Sequence, residues 1–295
     1  MNTALQEKKM SKITYKSIPI DDAVLRIANA VSGNGIRLKG LSEGRMNFIS
    51  TGTGLLKIKR DALFKINSVE NISLSTLHGN HVISKETPIG ETRIRSFAVK
   101  EENIREVEKI CSEYFPVIDI KPFKNMKTGI IITGNEIYSG RIEDRFGPIL
   151  KEKFSKLNCE VKKQVFVPDD VEKTVSSIHE LISKGAELLA LTGGMSVDPD
   201  DLTPLSIRKT GARIVTYGVP VYPGGMFLLA YLGNIPILGL PGCVMYHRAS
   251  IFDLILPLIV AGEPVTREYV ISLSHGGFCA RCEECIYPVC GFGKH

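Results

Sequence analysis

The apolar run at residues 188–191 breaks at Thr192-Gly193-Gly194, and that break constrains the fold more than any other feature of the chain. An uninterrupted apolar run of this length suits a strand buried on both faces, and paired glycines at its end require a sharp turn or a close approach to a neighbour. The loop beyond places Asp198, Asp200 and Asp201 close together and runs into a helix start at Thr203-Pro204. A strand ending in glycines, followed by bare amides and a helix start, makes a pocket for an anion. The carboxylates beside it are placed to hold a divalent cation bridging that anion. The competing reading is local: Asp201 caps the helix and the glycines only make a turn.

The same grammar recurs from residue 127 onward. Residues 128–133, 160–167 and 187–192 read as strands, residues 145–158, 169–184 and 202–210 as helices, and residues 212–218 as a further strand. This alternation demands right-handed crossovers and a parallel sheet covered on both faces. Segments 226–232 and 235–240 meet at Gly233-Asn234 as a hairpin before a last long helix over 244–261. The expected fold class is α/β, a doubly wound, mostly parallel sheet over residues 126–265. A smaller β-rich α+β domain over 1–125 precedes it, and a short Cys-rich tail over 266–295 follows. In the first domain an amphipathic helix over 20–32 leads into short alternating segments. A charged helix over 101–115 then runs to a linker bracketed by Pro116 and Pro122. His78 and His81 flank a turn and read as exposed loop residues.

Open α/β sheets bind ligands outside the carboxyl ends of their strands, and three of these ends carry distinctive text. They gather Thr133, Gly134, Asn135 and Glu136 from the first, Thr192, Gly193, Gly194, Ser196 and Asp198 from the third, and Pro241 and Gly242 from the last. Arg141 and Arg145 supply cations nearby. A side chain at Gly193 or Gly194 is expected to fill space meant for the ligand. No G-x-x-x-x-G-K-[ST] and no G-x-G-x-x-G occurs, which excludes a P-loop and the usual dinucleotide site. Gly194-Met195-Ser196-Val197-Asp198 lacks the second glycine of a nucleophile elbow.

The net charge of +5 arises in residues 1–125, with 20 Lys and Arg against 14 Asp and Glu, while the remainder holds 17 against 18. A small basic excess without a basic run or interleaved aromatics favours an anionic small molecule over nucleic acid. Apolar runs are too short or too interrupted to span a bilayer, and residues 1–16 lack a signal-peptide core, so a cytoplasmic protein is expected. Cys111, Cys159 and Cys243 stand alone in apolar segments and read as buried thiols. Cys279, Cys282, Cys285 and Cys290 follow C-x2-C-x2-C-x4-C, which reads as ligation of zinc or a [4Fe–4S] cluster. His275 or His295 can stand in for one thiol. The alternative is a loose, redox-labile tail.

With these motifs in place, residues 127–262 resemble the molybdenum-cofactor-biosynthesis domain of molybdopterin adenylyltransferases, molybdenum insertases and gephyrin-like proteins. T-G-N-E at 133–136 is similar to the family's T-G-D-E, with S-G-R at 139–141, and V-P-D-D-V-E at 167–172 to the adenylyltransferase V-P-D-[DE]. G-G-M-S-V-D-P-D-D-L-T-P at 193–204 resembles both G-G-x-S-x-G-D-x-D and G-G-T-G-x-x-x-R-D-V-T-P, and L-P-G at 240–242 resembles L-P-G-N-P. The resemblance implies Asp201 as the catalytic aspartate and Asp169 as the second acid. It also implies molybdopterin as ligand or substrate, magnesium, a nucleotide, and transfer chemistry at the pterin phosphate; a homo-oligomer is expected. Asn135 replaces the insertase aspartate, Asp200 the adenylyltransferase arginine, and Cys243-Val244 the Asn-Pro. These changes alter the charge of a polyanion site and motivate a second reading, a non-catalytic binding or chaperone protein. A third reading, nucleotide-sugar pyrophosphatases of the competence-damage type, is echoed by Arg141-Ile142-Glu143-Asp144 and Asp200-Asp201.

Overall fold

The computed structural model describes residues 17–196, Asp198 and residues 201–294. Residues 1–16, Val197, Pro199, Asp200 and His295 lie outside the described residues, and with them the third loop carboxylate and one spare tail ligand. The chain divides into two compact units, one of residues 1–79 and 83–121, the other of residues 80–82 and 122–295.

In the first unit the helix Ile20–Val31 buries Ala23, Val24, Ile27, Ala28 and Val31, one stripe of its surface. It belongs to a core with Phe48, Leu56, Ile66, Ile72 and Ile104. A four-stranded antiparallel sheet supplies the other side, in the order Ile36–Ser42, Arg45–Ser50, Pro88–Ile94, Ile72–Thr76. The helix Glu101–Tyr114 is clamped to the first by Arg26, whose guanidinium bonds Glu108 at 2.7 and 2.8 Å and Glu101 at 3.0 Å. The stretch expected as a linker holds the strand Ile118–Pro122 instead, because Val117 and Ile118 are fully buried and Ile120 is 4% exposed. His81 also departs from expectation: His78 is exposed but His81 is buried in the strand His81–Ile83.

The second unit is a six-stranded sheet of β1 (Lys127–Thr133), β2 (Glu160–Val167), β3 (Leu188–Thr192), β4 (Arg213–Tyr217), β5 (Leu228–Leu232) and β6 (Ile235–Leu240). Their spatial order is β2-β1-β3-β6-β5-β4. The first four in that order run parallel, and β5 is antiparallel to both of its neighbours. The helices are α1 (Asn135–Tyr138), α2 (Phe146–Ser155), α3 (Val171–Ser183), α4 (Thr203–Lys209), α5 (Cys243–Tyr246), α6 (Ile251–Val260) and α7 (Arg267–Ser272). Alternate residues of the central strands explain their unbroken apolar text. Ile131, Leu189 and Leu191 join a core with Ile178, Leu181 and Ile207 of α3 and α4, while Ile130, Leu188 and Ala190, on the opposite face, are equally buried. Phe154 of α2 meets Phe252 of α6 edge to face at 5.6 Å.

The single helix expected over 244–261 is two. A new helix begins at Ser250, which forms a capping box with Asp253, and Ser250 N donates to Asp253 Oδ2 at 2.8 Å. Lys153 of α2 bonds the same carboxylate at 2.5 Å in a largely buried pair. The tail is docked. Tyr222 N donates to Gly277 O and Cys279 N to Tyr222 O, both at 2.8 Å. Tyr287 Oη donates to the Asp253 carbonyl at 3.1 Å, and Phe292 is 3% exposed.

Candidate functional site

Strand register sets the carboxyl ends side by side. Thr133 stands opposite Val167, Ile132 opposite Thr192, and Thr192 opposite Leu240. The loops after β1, β3 and β6 thus leave one edge of the sheet from neighbouring strands. Thr133 Oγ1 donates to Thr192 O at 3.3 Å and lies 3.2 Å from Thr203 Oγ1, which donates to Gly193 O at 2.8 Å. Thr133 is 6% exposed, Thr203 2% and Thr192 fully buried, so these residues lie beneath the carboxyl edge and tie its loops together.

The glycines serve the same edge. Gly193 has φ +93°, and a Cβ there would stand 2.1 Å from the Thr133 carbonyl oxygen. Gly194 has φ +50°, with a Cβ 3.3 Å from Thr203 Oγ1. The expectation that a side chain at Gly193 fills ligand space is therefore corrected: it would strike the end of β1 first. Gly134, at φ +142°, has open space around its Cβ position and precedes α1.

Asp201 does not cap α4. Leu202 is the N-cap, without a side-chain cap, and the Asp201 carboxylate accepts the Ser196 N–H across the loop. Asp201 N donates to Asp198 O at 3.0 Å, and Asp198 N to Ser196 Oγ at 3.2 Å. Ser196, Asp198 and Asp201 thus form one compact turn, with the Asp201 carboxylate held by a backbone N–H.

Tyr217 joins this turn, donating from Oη to Ser196 O at 3.4 Å. Burial, reinforced by the Asp201 charge, pushes its hydroxyl pKa up against a smaller opposing pull from Arg208. Motif reading missed this residue. Because β4 runs antiparallel to β5, and β5 to β6, β4 ends on the same edge as the central strands, and the carboxyl-edge rule applied to residues 212–218 finds it.

Asp169 is differently placed. Asn135 N donates to its Oδ2 at 3.0 Å, and Asp169 N donates to Asn135 Oδ1 at 3.1 Å. The pair clasps the loops after β1 and β2. Glu136, Arg141, Arg145 and Gly242 are exposed at this edge, while Pro241 is buried. Asp144 serves the start of α2, accepting Phe146 N at 2.8 Å and Gly147 N at 3.0 Å, and Gln164 Nε2 at 2.6 Å.

Among the described residues no three His, Cys, Asp or Glu side chains are gathered to hold a metal ion. Cys282 is exposed and Cys279, Cys285 and Cys290 are half-buried, so the docked tail does not bring its four thiols together. Cys111 and Cys159 are buried as expected, whereas Cys243 is half-buried. No described helix is long and apolar enough to cross a membrane.

Fold and site define a class: a doubly wound α/β domain whose carboxyl edge holds a glycine- and acid-bearing crevice. Residues 129–261 match a family described as a probable molybdopterin binding domain. A molybdopterin molybdenumtransferase from Synechococcus elongatus is 28% identical over 120 residues, 38% of this chain and 30% of that protein. A molybdopterin adenylyltransferase from Pyrococcus furiosus is 32% identical over 95 residues, 32% of this chain and 56% of that protein. A CinA-like protein from a Mycobacterium species is 29% identical over 87 residues, 30% of this chain and 21% of that protein. The chain thus spans between about a fifth and somewhat over half the length of these relatives.

Proposed function

We propose that the second unit binds molybdopterin in the carboxyl-edge crevice and acts on its phosphate as a magnesium-dependent transferase, by adenylyl transfer or molybdate insertion. The observation that carries this reading is Asp201. Its carboxylate accepts the Ser196 N–H across the loop and does not cap α4. The domain family and the transferase relatives support the ligand class.

Magnesium commonly takes one or two carboxylates and completes its shell with substrate phosphate and water, so an ion shared with substrate needs no protein cage. Asp198 and Asp201 would hold it, and it would neutralise charge on the transferred phosphoryl group. Thr133, Thr192, Gly193 and Thr203 fix the loop, and the Ser196 hydroxyl, which accepts Asp198 N and keeps its own proton to donate, orients the phosphate. Asp169, committed to Asn135, positions the neighbouring loops rather than reaching the phosphate. In adenylyl transfer the pterin phosphate oxygen attacks the α-phosphorus of ATP and pyrophosphate leaves. In insertion, the two dithiolene sulfurs replace molybdate oxygen, which leaves as water, and water attacks the phosphoanhydride so that AMP leaves.

The Asn135–Asp169 clasp also favours a second reading, binding without turnover. Mass spectrometry of the small molecule released on denaturation, together with incubation of the protein with molybdopterin, ATP and magnesium, tests both. A bound pterin with magnesium-dependent AMP transfer or release supports the first reading, and a bound pterin without turnover supports the second. ADP-ribose hydrolysis without bound pterin overturns both and favours the pyrophosphatase reading. The tail cysteines stand apart from this reading. They serve as zinc or iron–sulfur ligands only if metal draws them together, and anaerobic purification with elemental analysis decides that.

A further inference from the structure

The edge of the sheet opposite the crevice carries a second depression, of about 680 Å³. Lys124 and Met126 line it just before β1, Arg213 at the start of β4, and Gly233-Asn234 in the turn from β5 to β6. All are amino ends of strands parallel to the core. Strands of five to seven residues separate this depression from the crevice, roughly 15–20 Å at the usual rise. It is a separate site.

Lys124, Arg213 and Arg267 line it; among the described residues Lys124 and Arg213 have no carboxylate partner, while Arg267 acts on its neighbour Glu268. Two acids share its rim. Glu268 is already engaged, its carboxyl pKa lowered by its own backbone N–H, the Thr266 hydroxyl and the Arg267 charge, and Glu263 has other interactions. Gly262 ends α6 at φ +74°, and Lys124 Nζ lies 2.7 Å from the position a Cβ would take there, so the ammonium sits against the carboxyl end of α6. The Arg213 guanidinium sits over the half-buried Tyr231 ring at 5.6 Å, which fixes its plane and leaves its N–H edge for a planar or tetrahedral oxyanion. A cation beside the carboxyl end of α6 offsets the helix dipole. Arg213, on a strand and over a ring, has no such role.

We propose that this depression binds a small molecule bearing a phosphate or pyrophosphate group, with Lys124 and Arg213 as its charge partners and Arg267 at the rim. The proposal is independent of what occupies the crevice. The test is lysine acetylation by an N-hydroxysuccinimide ester in the full chain, read by peptide mass spectrometry, with inorganic pyrophosphate as probe and EDTA present to remove divalent ions. At roughly ten times its dissociation constant, pyrophosphate slows modification of Lys124 about tenfold. Exposed Lys173, on α3, reacts unchanged. Arg213→Gln removes the protection. Arg267→Gln, at an exposed position, is tested in parallel and weakens it even if Arg213→Gln folds poorly. Unchanged labelling of Lys124 in the parent overturns the proposal, as does protection that persists fully in both variants.

Discussion

At the scale of single residues, Gly193 and Asp201 divide the labour of the central loop. Gly193 lets the chain leave β3 against the Thr133 carbonyl, and Asp201 accepts the Ser196 N–H across the loop. Gly193→Ala should therefore lower stability by about 2 kcal/mol or more, through both left-handed strain and the clash with β1, measured by urea unfolding. A variant as stable as the parent would mean the loop relaxes freely. The apolar thiols make a second test. Burial pushes Cys111 up to about 12 and Cys159 up to about 11. In both the folded pKa is raised, so their contribution to stability is complete below the ordinary thiol range and is lost as pH rises through about 11 to 12. Native thiol titration near pH 8 should leave Cys111 and Cys159 unreacted while exposed Cys282 reacts. Rapid reaction of all seven cysteines would contradict the packing.

At the scale of elements, strands β1, β3 and β6 were legible because both faces are buried, which leaves near-continuous apolar text bounded by glycine. The division between α5 and α6 was not, because the long apolar run of α6 masks the Ser250-Phe252-Asp253 signal that starts it. Ser250→Ala should lower stability by about 1 kcal/mol by removing the cap, and a thermal melt with an unchanged midpoint would show that the break has another cause. The crevice was legible as a set of strand ends, since topology alone brings them together. Its inner wiring was not. Whether Asp201 caps a helix or faces a ligand, and whether Asp169 is free or clasped by Asn135, depends on hydrogen bonds that local text leaves open. Tyr217 escaped notice because its strand reaches the site only through two antiparallel pairings.

At the scale of the whole molecule, the tail is part of the second unit, anchored where Tyr287 reaches the first turn of α6 and Phe292 enters the core. That contact joins distant parts of the chain and has no periodic signature. Tyr287→Phe keeps the ring and removes one part-buried hydrogen bond to the Asp253 carbonyl, so it should cost about 1 kcal/mol in chemical unfolding and leave pterin binding intact. Loss of binding would mean that the tail shapes the crevice. The central claim is that the carboxyl-edge crevice binds the pterin and that Asp201 acts in its chemistry. The direct measurement compares parent and Asp201→Ala side by side for magnesium-dependent turnover of ATP with molybdopterin and for pterin affinity. A metal-holding carboxylate supports the transition state more than the ground state, so turnover should be lost while affinity stays within about tenfold. Equal turnover in the two proteins would contradict the account.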